Sequence, residues 1–391
     1  MAEWNNTHLS EVLVDKGYIR GPFGSALKRC DMKDNGIPVY EQQHAIYNSR
    51  YFRYYIDEQK FNEMKRFQVN TDDLIISCSG TVGKVSIIRS DDPKGIISQA
   101  LLILRVDQKK ILPLYLKYFF TSRDGYNAIV SRSSGSVQVN IAKRNVIEQI
   151  PLMLPKIEIQ RKIVEILNSI DNKIEENEEI NNNLEQQAQA IYQQMFIDNA
   201  SSDWTEGTLS DIADITMGQS PSGSSYNEDG NGTIFFQGRA EFSFRFPTVR
   251  LYTTEPKRMA CANDTLMSVR APVGDLNVVH TDCCIGRGLA AIHSKNNHQS
   301  FVLYTMFSLK KQLDVFNGEG TVFGSINRNS LNEMPILIPS GEKLDEFEAL
   351  VSPMDAAIRN NYDEICRLEQ LRDSLLPQLM SGELDVSDID L

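Results

Sequence analysis

The sequence predicts an α+β protein built from two pseudo-symmetric α/β domains, each followed by a long helix, with the two helices pairing as an antiparallel coiled coil. Three observations carry this expectation. The chain repeats itself at a period near 200 residues, which means duplicated domains rather than a solenoid. After each globular stretch, apolar residues recur at spacings of three and four, the signature of a helix with one buried face. The remaining segments hold short β-branched runs bounded by Gly, Pro or Asp, the pattern of strands in a mixed domain.

The only two tryptophans open the two copies. Trp4 with Leu9-Ser10-Glu11-Val12 matches Trp204 with Leu209-Ser210-Asp211-Ile212 at an offset of 200. Asp73-Leu74-Ile75-Ile76-Ser77 matches Asp264-Thr265-Leu266-Met267-Ser268 at 191, each leading into a Val-Gly turn, Val82-Gly83 and Val273-Gly274. Shrinking offsets reflect small loop deletions. From Pro151 to Phe196 the second copy follows at a fixed offset of 184, as in Pro151/Pro335, Glu158/Glu342, Asp171/Asp355, Asn177/Asn361 and Gln194/Gln378. Gap-free matching is what a rigid helix leaves. The expected segments are therefore a first domain over 1–150, a first helix over 151–200, a second domain over 201–335, and a second helix with a tail over 336–391.

In the first domain Ile37-Pro38-Val39-Tyr40, Leu74 to Ser77, Lys84 to Ile88 and Ala100 to Leu104 read as strands, and Leu112 to Phe120 begins a helix. In the second, Thr233 to Phe236, Thr265 to Ser268 and Leu289 to Ile292 read as strands, and Ser300 to Lys311 as the answering helix. The first long stripe runs through Ile163, Ile166, Leu167, Ile170, Ile174, Leu184, Ala188, Ile191 and Met195, with Asn177 and Asn181 interrupting it as register devices. The second runs through Phe347, Leu350, Val351, Met354, Ile358, Ile365, Leu368, Leu371, Leu375 and Leu379, with Asn361 at the place of Asn177. Pro377 is expected to kink or end it. About 34 residues give a rod on the order of 50 Å. The seam residues expected to carry the helix pair are Ile170, Ile174, Asn177, Leu184, Met354, Ile358, Asn361 and Leu368.

Composition excludes several classes. Hydrophobic residues are 41% and charged residues 24% of 391, so the chain is an ordinary folded protein. No run of about 18 apolar residues marks a membrane span, and the first residues carry no secretory signal, which places the protein in the cytoplasm. The six cysteines form no CxxC pair and the five histidines no HxxxH, so a zinc site is not indicated and the thiols read as reduced and mostly buried. No nucleophile elbow, methyltransferase tetrapeptide or GxGxxG announces an active site. Gly80-Thr81-Val82-Gly83-Lys84 hints at a phosphate loop, but the glycine spacing is wrong, Val85 stands where Ser or Thr must bind magnesium, and the second copy reads Ala271-Pro272-Val273-Gly274-Asp275.

The net charge of −12 divides unevenly: +5 over 1–150, −5 over 151–200, −3 over 201–335 and −9 over 336–391. Local patches rather than the total decide which polyanion is attracted, so the two acidic helical segments suit a protein partner while the two globular segments face something else.

A Trp-x4-Leu start, Gly36-Ile37-Pro38, the Gly80-Thr81-Val82-Gly83 turn and the Pro151, Pro155, Gln160, Ile163 entry to a long helix resemble the specificity subunits of type I restriction-modification enzymes. Gly218-Gln219-Ser220-Pro221-Ser222 is similar to that family's Gly-x-Thr-Pro-Ser loop with Ser220 for Thr, and Leu375 to Leu384 is similar to its C-terminal segment. The resemblance implies that each globular domain is a target recognition domain reading half of a split double-stranded DNA sequence, that the helices set the spacing, and that their acidic faces dock two methyltransferase subunits. It also implies a restriction (motor nuclease) subunit, no cofactor in this chain, and S-adenosylmethionine, ATP and magnesium in the partners. Half-sites one helical turn apart lie about 34–36 Å from each other, which a rod of that length spans.

Base readers are expected among Arg, Lys, Gln, Asn and Ser on loops. In the first domain the candidates are Lys28, Arg29, Gln42, Gln43, Arg132, Ser134 and Gln138. In the second they are Gln219, Ser220, Gln237, Arg239, Arg270, Arg287 and Arg328. The repeated glycine loops Gly135-Ser136-Val137-Gln138 and Gly320-Thr321-Val322-Phe323-Gly324 are placed near DNA by the same resemblance. Two other classes fit the residues: a coiled-coil scaffold binding protein alone, suggested by the acidic balance and tail, and a metal-dependent nuclease using Glu58, Asp72 and Asp73.

Overall fold

The computed structural model describes residues 4–133, 139–318 and 324–389. The chain divides into two compact units, Met1–Glu175 with Cys366–Leu391, and Glu176–Ile365. Each unit holds one globular domain and a stretch of both long helices.

In the first unit a four-stranded antiparallel sheet is ordered Leu13–Arg20, Leu101–Val106, Leu74–Ser77, Val85–Ile87. Its central strands are apolar except for Arg105 and Ser77 near their ends because both faces are covered. Side chains alternate between the faces: Leu74, Ile76, Leu102 and Leu104 join a core with Tyr115, Leu116 and Phe120 of the helix Pro113–Thr121 and with Ile163 and Leu167 of the first long helix. Ile75, Leu101 and Ile103 face a different core with Tyr40 and Ile97. Those two residues belong to a small sheet ordered Tyr55–Ile56, Ile37–Tyr40, Ile96–Ile97.

The second unit repeats this layering. Its four-stranded sheet is ordered Ala213–Met217, Leu289–Ser294, Thr265–Ser268, Leu276–Val278. Met267, Ala290 and Ile292 pack with Phe301 and Tyr304 of the helix Gln299–Ser308 and with Tyr192, Phe347 and Val351 of the long helices. Leu266, Leu289 and Ala291 face the other core with Phe236 and Ile285. The helix expected to reach Lys311 breaks at Leu309 and resumes as Lys310–Asp314.

Each domain is closed by a strand pair that carries the chain into its long helix. Asn5–His8 pairs with Pro151–Leu154, and Thr205–Thr208 with Pro335–Ile338. The Pro151 and Pro335 segments, matched in sequence as helix entries, are thus edge strands, where a proline without an N–H is tolerated.

The long helices are Ile157–Tyr192 and Gly341–Ser381, 36 and 41 residues, or about 54 and 61 Å at 1.5 Å per residue. Pro377 does not end the second one, which runs on to Ser381 and stops at Gly382, whose φ of 75° suits a left-handed helix cap. Pro353 also lies inside it.

Within each unit the helix stretches pack antiparallel. In the first, Arg372 reaches Asp171 at 3.3 Å and Lys162 Nζ donates to the Ser387 carbonyl at 2.7 Å. In the second, Asn177 Nδ2 donates to Glu364 Oε2 and Asn361 Nδ2 to Asn181 Oδ1, both at 2.9 Å. Asn177 and Asn181 are each 1% exposed, so these amides are satisfied polar groups in an apolar seam, which fixes register because a slip leaves them unpaired. Ile170, Ile174 and Ile358 are buried, Leu184 and Met354 are half-buried against the second unit's core, and Leu368 is half-buried.

Among the described residues no helix is long and apolar enough to cross a membrane. Cys78, Cys283 and Cys284 are buried, but Cys30 and Cys261 are exposed, so the expected thiol burial holds for only part of the set.

Candidate nucleic-acid interface

One end of each four-stranded sheet is a junction of three chain segments, held by main-chain hydrogen bonds and close-packed glycines. In the second domain Gly218 N donates to the Leu289 carbonyl, Gln219 N to Ile285, Gly286 N to Phe236 and Val269 N to Gly288, at 2.8–2.9 Å. A Cβ on Gly218 would lie 2.1 Å from the Gly286 oxygen, and one on Gly286 would lie 2.7 Å from the Gln237 oxygen. Only glycine admits this approach.

That junction brings together all seven candidates from the second domain, five of them directly and Arg270 and Arg328 through the neighbouring Val269. Gln219, Gln237, Arg239 and Arg287 are exposed, and the Ser220 hydroxyl accepts from Arg287 N at 3.3 Å. Arg270 follows Val269, which binds Gly288 on one side and accepts from Ile326 N on the other, so the Arg328 helix (Arg328–Asn332) is tied to the same place. Arg270, Arg287 and Arg328 have no ion-pair partner among the described residues. Arg239 does: it pairs with Asp275, which also takes Lys310 Nζ at 3.2 Å. Burial acts to raise the Asp275 carboxyl, but hydrogen bonds from Arg239 and Lys310 outweigh it and hold the group below its ordinary value. Beside this ion pair lies a concavity of about 690 Å³, lined by Phe242, Ser243, Asn277 and Phe307 among others. A domain of net charge −3 therefore presents four arginines around one loop cluster.

The first domain repeats three of these four bonds; the fourth is missing because Pro22, at the place of Gln219, has no N–H. Gly21 N donates to Leu101 O, Ser98 N to Tyr40 O and Cys78 N to Ala100 O at 2.8–2.9 Å, and a Cβ on Gly21 would meet the Ser98 oxygen at 2.0 Å. Its candidates are scattered. Gln42 sits at the junction, but its Oε1 accepts from Ser79 N at 3.2 Å, and Gln43 Nε2 donates to the Tyr51 carbonyl at 3.0 Å. Arg132 closes its own helix, donating to Ala128 O at 2.8 Å. Lys28 and Arg29 are exposed at a short turn (Arg29–Asp31) whose Asp31 pairs with Lys60 at 3.4 Å, with no hydrogen bond to the Gln42 loop among the described residues. Ser134 and Gln138, the glycine loop around them, and 320–323 of the matching loop lie outside the described residues.

Three junction residues were not singled out from the sequence: Arg20, Phe23 and Gln99. Gln99 stands where the second domain has Arg287, between Ser98 and Ala100 as Arg287 is between Gly286 and Gly288. The shared signal, a strand ending in glycine after each first short helix, was available at Gly21 and Gly218. The carboxylates considered for a nuclease are engaged apart from one another: Asp73 takes a two-bond clasp from Arg105 at 2.7 Å, Asp72 accepts from Gln108 at 2.9 Å, and Glu58 faces Lys94 at 3.7 Å.

Comparison with known proteins gives a consistent picture. The family described as the type I restriction modification DNA specificity domain matches residues 2–186 and again 201–365. The putative type I restriction enzyme MjaX specificity subunit of Methanocaldococcus jannaschii is 28% identical over 356 residues, covering 85% of this chain and 83% of that protein. The type I restriction enzyme HindI specificity subunit of Haemophilus influenzae is 22% identical, covering 77% and 84%. The crystal structure of a type I restriction-modification S subunit from M. genitalium has a similar fold, with a TM-score of 0.61 at 15% identity over 97% of this chain and 96% of that one.

Proposed function

The chain belongs to the type I restriction modification DNA specificity family, and from that membership we propose that its two globular domains each read one half of a split double-stranded DNA target while the paired long helices set the spacing. It is the DNA specificity subunit of a type I restriction-modification system and is itself non-catalytic. The observation that carries the reading is the duplicated loop junction, which in the second copy collects Gln219, Gln237, Arg270, Arg287 and Arg328 on one exposed end. Arginine bidentate to guanine and glutamine bidentate to adenine are the favoured major-groove pairs.

In this reading 1–150 and 201–335 are the readers, and 151–200 and 336–391 are the spacer. In the first domain Lys28 and Arg29 supply phosphate contacts, which position without specifying. Gln42 keeps its amide N–H donors for a base. The acidic outer faces of the helices dock two methyltransferase subunits, which bring S-adenosylmethionine. A restriction subunit brings ATP and magnesium, and the complex works in the cytoplasm.

Co-expression with its methyltransferase in a host lacking modification, followed by mapping of methylated adenines, tests the proposal. The expected result is a bipartite motif that loses one half when one globular domain is exchanged. A folded, active complex with no such motif would overturn it. A four-residue insertion after Asn177 is expected to change the spacer alone. It adds about 6 Å and returns the apolar stripe to within roughly 40° of its partner. Altered half-sites in the mapped motif would contradict the spacer role.

A further inference from the structure

We propose that Phe23 is an apolar base contact of the first recognition domain and that Arg20 is the positioning residue that holds it. The inference rests on the reading of the junctions given above and names the residue through which the first one acts.

The strand registers make the two copies directly comparable. Arg20 pairs with Leu102 and Met217 with Ala290, and each is followed by a glycine whose N–H binds the residue before that partner, Leu101 or Leu289. Arg20 thus corresponds to Met217, Gly21 to Gly218, Pro22 to Gln219 and Phe23 to Ser220. Where the second domain presents a glutamine and a hydroxyl, the first presents a proline and an aromatic ring.

Phe23 is 64% exposed, more than any other phenylalanine among the described residues, and forgoes the gain of burying its ring. Its backbone is extended, and the next residue, Gly24, has φ 63° with open space around it, so the loop tip stands clear of the fold. Behind the ring lies the Arg20 guanidinium, 5.7 Å from the centroid, at cation–π distance. The same guanidinium reaches inward to the buried Cys78 thiol, where its charge and a side-chain hydrogen bond oppose the upward push of burial. A guanidinium anchored in the fold beneath an exposed ring is a support that keeps the ring turned outward. An outward aromatic at a DNA-reading edge packs against a thymine methyl or an opened base step.

The second copy supplies substitutions that the fold accommodates: Phe23→Ser and Arg20→Met. With the chain in complex with its methyltransferase, binding to the mapped target and to its single-base variants is measured across a salt series. Phe23→Ser is expected to lose about tenfold discrimination at one position of the first half-site. The second half-site and the salt slope stay unchanged, since no phosphate contact is removed. Arg20→Met should relax the same position by a smaller factor, and Arg20→Lys, which keeps a cation behind the ring, should restore it. Unchanged discrimination in Phe23→Ser overturns the proposal, and so does an equal loss at both half-sites. If the unaltered chain gives no bipartite motif, the underlying reading fails; if it does and Phe23→Ser is silent, only this inference fails.

Discussion

Arg245→Ala will destabilise the second unit by about 3 kcal/mol or more, the range for removing one partner of a buried ion pair. The Arg245 side chain is 3% exposed and bridges both long helices: Nη1 donates to Glu185 Oε1 at 3.1 Å, and Nη2 pairs with Asp355. Tyr304 completes the cluster, its hydroxyl donating to Asp355 at 3.0 Å while the guanidinium lies 5.7 Å from its ring centroid. Burial alone acts to lower the Arg245 pKa, but the Asp355 charge and its neighbours outweigh it and raise the group above its ordinary value. Truncation leaves two carboxylates, each 20% exposed, without their cation. Denaturant unfolding checks the value, and a loss under about 1 kcal/mol would contradict it. Arg245 also holds φ at 63°, uncommon for a residue with a side chain. Arg245→Gly relieves that strain and still removes the pair, so it should be somewhat less damaging than Arg245→Ala.

Gly218→Ala will abolish reading of the second half-site while sparing the first, and Gly21→Ala will do the reverse. The added methyl would sit 2.1 Å from the Gly286 oxygen in one case and 2.0 Å from the Ser98 oxygen in the other. Both obstacles are backbone, so the segments must part. Displacing a loop that carries several contacts forfeits one or two base pairs' worth of recognition, each about 1–3 kcal/mol, or roughly fivefold to twenty-five-thousandfold at that half. Mapping methylated adenines for each variant separates the halves. Equal losses at both, or none, would refute the assignment of one junction to one half-site.

The long helices were legible because rigid rods preserve spacing: the fixed offset of 184 and the three-four stripe survive any change of surface residues. Strands of the central sheets were legible where both faces are covered, as at Leu74 to Ser77. The junctions were legible only as the glycines that end a strand in each copy, Gly21 and Gly218, and not as assembled sites. They are made by main-chain groups brought together from segments far apart in the chain, Gly218 with Leu289 and Gly286 with Phe236, and main-chain bonding leaves no residue code. Nor was the Arg245 clamp legible: flanked by Phe244 and Phe246 in a loop, nothing local says that its partners are Glu185 and Asp355. Gln42, Gln43 and Arg132 had the chemistry of readers, but each spends a hydrogen-bonding group on a neighbouring main chain.

The loop junction of the second domain, the reading end in the proposed function, is fastened by glycines and main-chain bonds, while Gln237, Arg270, Arg287 and Arg328 hang from it exposed. Residues without packing duties can be exchanged at little folding cost, since surface changes usually shift stability by no more than about 0.5 kcal/mol. Heritable variation can accumulate there one codon at a time, and whole modules can be traded at the strand pairs that close them. A lineage facing new invaders can thus diversify its recognition while the scaffold that carries it stays under constant selection.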